Sequence, residues 1–567
     1  MKAFIYKLKI ILYIFIFLGI FNLSYGRTIE FNQDAKSISN YFSGLVSFDD
    51  YDYKSSKEFF KKLNDSQTKN KNYSSRFIQS LINLERYQEA YKFSKKLENN
   101  KQSNFESNIF LGLYEFKRKN YEKSQIYFKK IEPNFIGQPI FEILKVSFDA
   151  WPQIAKFKNQ DSIKLLNYTN KAYENLQIIQ NAFAKCYISS NTVENDFKSI
   201  IENKKYNFSR YNFFISNYFF NRGEKDKALD LIKTASEKNP RNLVISQFKK
   251  VLQDGEKNKN LFNCQNSSHI MAETLYILAN LLSSQQNYKL SNFYINLSKF
   301  LNPNFISFDT LLAENFLILK KYNDANEIYN QKLFRSGSIY KWYASQKIAE
   351  IMDKQKKTDS INFVKKAYKD IKPEIYQTYD FANFLRNKEK YDESIQLYSE
   401  ILLKINSDHE LYPGVLERRG MAYERSNNWE LGEKDLLNSL KAKPNEPYVM
   451  NYLAYSWVEQ NKNIEKALAM LRNANNLKRN NGYITDSLGW ALFKSKYFFE
   501  AKKYLERAII LMPRDPVIND HYADCLWMNN FKIQARYYWN NVLLSDEADQ
   551  ELKVKVEQKI LFGLPNS

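Results

Sequence analysis

Histidines, cysteines and paired carboxylates are the side chains here that could hold a metal, activate a nucleophile or move a proton, and their spacing supports none of these. His269, His409 and His521 are the three histidines among 567 residues, and they fall in separate segments without metal-ligand or triad spacing. His521 is expected to be a surface or groove histidine. Cys186, Cys264 and Cys525 lie far apart. One pair could close a disulfide in an oxidising compartment, but buried free thiols are the expectation and no redox role is assigned. Adjacent acids such as Asp49 and Asp50 occur on any mixed-charge surface and do not make a glycosidase pair. No glycine-rich phosphate loop occurs. The chain therefore reads as non-enzymatic, with no catalytic residue, cofactor or metal site.

Binding remains, and a repeat supplies the elements that would position it. The chain is too long for one ordinary globular core. Its 14 Gly and 12 Pro are scattered and no β-rich block occurs, which suits helices joined by short turns. Gly489 is followed after 12 residues by Ala501, after 16 by Leu505, after 19 by Ala508 and after 24 by Pro513. Small residues let two helix backbones approach, Leu488, Leu492 and Leu505 fill the space between them, and Pro513 stops the second helix.

The same spacing recurs with Ala523, Ala535 and Trp539, with Gly420, Gly432 and Leu436, and, with one residue inserted before the second helix, with Ala454, Ala467 and Leu471. It continues back through Ala382, Ile348, Ala313, Ala279 and Ser216, and Gly44, Ile78 and Gly112 stand 34 apart. The register weakens between Pro133 and Tyr206. There Ala150 with Ser162 and Leu166 fits a unit, while the stretch around Ala184 fits poorly. A second weak stretch runs from Leu243 to Ser268, and these degenerate units are the expected hinges.

The pattern resembles the tetratricopeptide repeat (TPR). That resemblance implies an all-α solenoid, a right-handed superhelix of antiparallel helix pairs with a C-terminal capping helix. The expected organisation is a signal peptide over 1–26, TPR units over 27–132, and degenerate units over 133–270 with a loop at 255–268. A C-terminal array over 271–548 and a capping helix and tail over 549–567 complete it, with Leu552, Val556 and Ile560 on one helical face.

In the repeat family, the first helix of each unit lines the concave face at set offsets from its small residue. Carried over, the rule gives Tyr448, Asn451 and Tyr455 around Ala454. Around Gly489 it gives Tyr483, Asp486, Trp490 and Phe493, and around Ala523 it gives Asp520, Asp524 and Trp527. Such aromatics would anchor partner side chains, and the acids would hold basic or hydroxyl groups. Some family members hold a terminal carboxylate with Lys, Asn and Arg. Asp486 and Asp520 stand at the corresponding places here, so that specificity is not carried over.

The N-terminus reads as a leader, with Lys2, Lys7 and Lys9, an apolar run from Ile10 to Phe21, and the small residues Ser24 and Gly26. The run is short for a membrane span, so cleavage before Arg27 is expected. Cleavage removes three lysines and takes the formal charge from +21 to +18. The excess is attributed to a drift toward Lys, Asn, Ile, Phe and Tyr, not to nucleic-acid binding, although it favours weak contact with anionic membranes or wall polymers.

The segments from Asn451 to Trp457, from Tyr483 to Trp490 and from Asp515 to His521 look like the C-terminal half of long TPR proteins exported by proteobacteria. Some of those are outer-membrane lipoprotein adaptors that bring a carboxy-terminal processing protease to the peptidoglycan hydrolases it degrades. This chain departs from them in having no cysteine before Cys186 to carry a lipid. The resemblance implies a scaffold in the periplasm, free or peripheral to the outer membrane, that holds a protein or peptide partner such as an envelope protease or cell-wall hydrolase. Peptidoglycan binding is the alternative.

Overall fold

The computed structural model describes residues 35–63, 70–131, 139–256, 261–357 and 359–564. The expected signal peptide over 1–26 lies outside them. The described chain is helical and contains no β-strand. It divides into two compact units, Met1–Ile351 and Met352–Ser567, so the expected C-terminal array over 271–548 is split.

The N-terminal unit opens with three helix pairs: α1 (Ala35–Asp49) and α2 (Tyr53–Lys61), α3 (Lys71–Asn83) and α4 (Tyr87–Asn99), α5 (Phe105–Lys117) and α6 (Tyr121–Lys129). Then come α7 (Pro139–Phe157), α8 (Gln160–Ile163), α9 (Glu174–Tyr187), α10 (Val193–Ile201), α11 (Tyr211–Asn221), α12 (Lys225–Lys238) and α13 (Leu243–Asp254). The pairs α14 (Ser267–Ser284) with α15 (Tyr288–Leu301) and α16 (Ser307–Ile318) with α17 (Tyr322–Gln331) follow, and the division falls within α18 (Ser338–Lys354).

In the C-terminal unit α19 (Ser360–Lys369) precedes five pairs and a last helix. The pairs are α20 (Ile375–Asn387) and α21 (Tyr391–Leu402), α22 (Tyr412–Arg425) and α23 (Trp429–Ala442), α24 (Pro447–Glu459) and α25 (Ile464–Leu477). Next are α26 (Gly482–Lys494) and α27 (Phe498–Leu511), then α28 (Pro516–Met528) and α29 (Lys532–Leu544), and finally α30 (Gln550–Phe562).

Most pairs close at two small residues, although α3 carries Ile78 at that position. In four pairs of the N-terminal unit a serine stands at one of these positions and its hydroxyl donates to the opposite carbonyl: Ser56 to Gly44 (3.0 Å), Ser124 to Gly112 (2.8 Å), Ser216 to Ala228 (2.6 Å) and Ser291 to Ala279 (2.8 Å). Between α22 and α23 the backbones are closer still. A Cβ on Gly420 would lie 2.9 Å from the Gly432 carbonyl, and one on Gly432 2.8 Å from the Gly420 carbonyl, so neither position has room for a side chain.

Within most pairs the chain turns through one non-glycine residue in the left-handed region. These residues keep the repeat spacing, as at Tyr51, Glu85 and Lys119, or Asn427, Asn461, Lys496 and Asn530. Many helix starts are capped by asparagine, whose Oδ1 accepts a backbone N–H: Asn104 from Ser107, Asn242 from Ile245 and Asn481 from Ile484. Part of the asparagine content thus has a structural use that compositional drift does not explain.

The degenerate region departs from expectation in four ways. The helix expected after Ala150 is a single turn, α8, because α7 continues through Pro152 to Phe157. The stretch around Ala184, expected to fit poorly, forms the pair α9 and α10. Residues 261–266 form a loop as expected, but an inward-packed one, since Phe262 and Cys264 are buried and the Phe262 ring lies 4.4 Å from that of Phe214. Cys186 and Cys264 form a disulfide, where free thiols were expected.

These ties replace the expected hinge with a braced segment. Trp151 Nε1 donates to Gln180 Oε1 (2.8 Å), and Gln180 Nε2 donates to Thr274 Oγ1 (2.9 Å), all three residues being buried. Arg210 grips Glu273 through two nitrogens at 2.8 and 3.0 Å.

The inner face of the N-terminal unit is filled from within. Helix α15 packs against the first helices α3 and α5, and α14 packs against α7. Every residue of α15 from Ser291 to Leu301 is buried, whereas the second helix of a pair ordinarily keeps one face in water. Phe300 sits among Tyr87, Phe110 and Tyr114 at ring separations of 5.0, 5.3 and 5.9 Å. Tyr87 Oη donates to the Asn296 carbonyl at 2.9 Å, and Asn296 Nδ2 donates to Asn83 Oδ1 at 3.0 Å. Lys299 joins Glu85 and, at 2.8 Å, Asp309.

Candidate functional site

The C-terminal unit carries an open cleft of about 480 Å³ on the first helices of consecutive pairs. Helix α22 contributes Glu424 and Arg425, α24 contributes Asn451, Tyr455 and Glu459, α26 contributes Tyr483 and Asp486, and Asp515 stands at the start of α28. First-helix residues face this side because second helices carry the opposite face of each pair, so the repeat offsets locate the cleft. Of the ten residues derived from them, Asn451, Tyr455, Tyr483 and Asp486 line it. Tyr448 is exposed on the same helix as Asn451 but outside the lining.

Trp490 and Phe493 are engaged elsewhere. Their rings stack at 4.9 Å, Trp490 also stacks on the imidazole of His521 at 3.9 Å, and its Nε1 donates to Glu459 Oε1 at 2.6 Å. His521 is buried, not a surface or groove residue, and its Nδ1 pairs with Asp486 Oδ2 at 2.9 Å. Among the described residues no serine, threonine or cysteine side chain hydrogen-bonds to this imidazole.

Asp520, Asp524 and Trp527 do not belong to the groove, because α30 covers them. Lys559 Nζ donates to both oxygens of Asp520 (2.7 and 2.8 Å) and to Asp524 Oδ2 (2.8 Å), and Trp539 Nε1 donates to Asp524 Oδ1 (2.9 Å). Trp527 lies under the end of α30, where a Cβ on Gly563 would come within 2.0 Å of its ring. Arg536 stacks over that ring at 4.9 Å and donates through Nε to the Ile560 carbonyl. Val556 enters the core, with Leu552 and Ile560 packed against it.

Lining residues outside those ten include Glu424, Arg425, Tyr452, Glu459 and Asp515. Glu424 and Arg425 stand four and five residues after Gly420 and Glu459 five after Ala454, places that the repeat rule itself reaches, whereas Tyr452 and Asp515 lie off its offsets. Tyr452 donates to Glu424 Oε2 at 2.6 Å. Among the described residues no three His, Cys, Asp or Glu side chains are grouped to hold a metal ion, and no helix is long and apolar enough to cross a membrane. Burial pushes the Cys525 thiol up to about 12.

The His521–Asp486 pair makes the C-terminal unit pH-sensitive. Burial opposes protonation of the imidazole, but Asp486, by charge and hydrogen bond, and then Asp520 and Asp524 hold its pKa above the ordinary value. A raised folded-state pKa means that the folded protein binds the proton more tightly. The resulting stability is fully present below the ordinary histidine value of about 6.5 and is lost as pH rises through the folded-state value. The melting temperature of His521→Gln should therefore fall further below that of the wild type at pH 6 than at pH 8.5. A gap that is constant or widens with pH would show the pair to be unimportant.

No protein-family model matches the chain. The TPR repeat-containing protein PA4667 of Pseudomonas aeruginosa is 26% identical over 132 residues, which are 23% of this chain and 22% of that protein. The chain thus matches about a fifth of that relative's length. Among solved structures, TTC0263, a thermophilic TPR protein of Thermus thermophilus, aligns with 33% of this chain and 100% of its own at 15% identity and a TM-score of 0.29. The Cut9–Hcn1 hetero-tetramer of the APC/C aligns with 92% of this chain and 89% of its own at 13% identity and a TM-score of 0.34. The recurring helix pairs themselves define the architecture, a TPR-type helical solenoid.

Proposed function

We propose that the chain is an exported, non-enzymatic adaptor of the bacterial cell envelope whose C-terminal cleft holds an extended segment of a protein partner, of the envelope-protease or wall-hydrolase class. One observation carries this reading: the cleft is open on the first helices of α22, α24 and α26, while the equivalent face of the N-terminal unit is filled by α15. Placement outside the cytoplasm is supported by the leader-like Lys2 to Gly26 segment and by the Cys186–Cys264 disulfide, since such bonds persist in oxidising compartments. Four carboxylates in the lining disfavour an acidic wall polysaccharide as the occupant.

Capture from envelope extract tests the proposal. The Tyr455→Ala/Tyr483→Ala variant should lose partners that the wild type and Phe499→Ala retain, Phe499 being an exposed residue on the second helix α27. An unchanged set of partners in the cleft variant would contradict it.

A further inference from the structure

We propose that the C-terminal cleft selects a basic side chain, lysine or arginine, of the bound segment; this rests on the reading of the cleft as a peptide site. The local charge has the opposite sign to the chain. Glu424, Glu459, Asp486 and Asp515 line the cleft against the single cation Arg425, in a protein whose formal net charge is +21. A partner drawn by net charge alone would be acidic, and the cleft would repel it.

Two acceptors in the lining have no donor. Asp486 is 5% exposed and uses Oδ2 on His521, while its Oδ1 is buried without a hydrogen-bond partner. Asn451 Oδ1, on the neighbouring first helix, is likewise buried and unpartnered. Buried acceptors of this kind are ordinarily satisfied, and a group that only donates, an ammonium or a guanidinium, meets both requirements.

Two of the remaining acids are braced by side-chain donors. Tyr452 holds Glu424 and Trp490 holds Glu459, each through one carboxylate oxygen. Tyr455 and Tyr483 supply aromatic faces against which the apolar stem of a lysine or arginine packs while its charged head reaches the acids.

Fluorescence anisotropy on the full chain, with three labelled alanine-and-tyrosine nonapeptides that differ only in a central lysine, norleucine or glutamate, tests the inference. The lysine peptide should bind at least ~10-fold more tightly than the norleucine peptide, and the glutamate peptide most weakly. Glu459→Gln and Asp486→Asn should each remove most of the lysine preference, read as the ratio of lysine-peptide to norleucine-peptide affinity in the same variant. Glu459 is exposed, so its variant stays informative if Asp486→Asn disturbs the buried histidine.

Equal binding of the lysine and norleucine peptides, lost together in Tyr455→Ala, would overturn the charge selection and leave the peptide site standing. Tightest binding of the glutamate peptide would also overturn it. If none of the three peptides binds, both readings fall.

Discussion

Lys559→Met is expected to lower the stability of the C-terminal unit by about 3–5 kcal/mol, the usual cost of removing one partner from a buried ion pair. Lys559 is the cation for two carboxylates, and Asp520 and Asp524 are both buried. Burial, and next the neighbouring Asp520, push the Asp524 pKa up even with the lysine in place. Without Lys559 the two acids would share a site with no directly paired cation, and α30 would lose its polar anchor. Its apolar anchor, Val556 in the core, remains. Urea unfolding followed by tryptophan fluorescence measures the loss, since Trp527 and Trp539 lie at this junction. The triple variant with Asp520→Asn and Asp524→Asn should recover part of it. A loss below about 1 kcal/mol would place Lys559 among ordinary surface pairs.

The second large effect lies in the N-terminal unit. Cys186 and Cys264 are 78 residues apart, and closing a loop of that length restricts the unfolded chain by an amount worth about 4 kcal/mol. Cys186→Ser/Cys264→Ser should unfold at correspondingly lower urea, and the oxidised wild type should match it once reductant is added. The variant itself should not respond to reductant. Cys525 is buried, with its thiol pKa raised by burial, so it does not confuse the comparison. A wild type indifferent to reductant would mean that the two cysteines are free thiols.

The helix pairs were legible because each is specified locally. The residue twelve positions on must be small when two backbones nearly touch, as at Gly420 and Gly432, and that requirement appears in the sequence as a fixed interval. The left-handed turn residues keep the same interval, but they are lysine, glutamate and asparagine as often as anything else, so they give no compositional signal.

What the interval could not show is which faces meet across long separations. Tyr87 and Asn296 are 209 positions apart, and nothing periodic announces that α15 fills the inner face of α3 and α5. Phe293, Tyr294, Ile295, Leu297 and Phe300 spread apolar side chains round much of that helix, but Asn292, Asn296 and Lys299 keep a polar stripe that the sequence alone would place in water.

The groove was half legible for a related reason. The offsets place Asn451, Tyr455, Tyr483 and Asp486 correctly on the lining, since three consecutive first helices keep their register. They fail at Asp520, Asp524 and Trp527, where α30 supplies a lysine and a glycine from beyond the repeat. The place of His521 is hidden from the sequence because burial of a histidine depends on its partners, here Asp486 and Trp490 from the preceding pair, and not on its own segment.

Site-specific photo-crosslinking in cells of the source organism addresses the main claim most directly, with the probe placed in turn at Tyr455, Tyr483, Tyr114 and Ile533. Tyr455 and Tyr483 line the cleft, Tyr114 faces Phe300 inside the N-terminal unit, and Ile533 is exposed on the second helix α29. The account predicts protein adducts from the two cleft positions and none from the other two. Adducts from Tyr114 or Ile533, with none from Tyr455 or Tyr483, would contradict it.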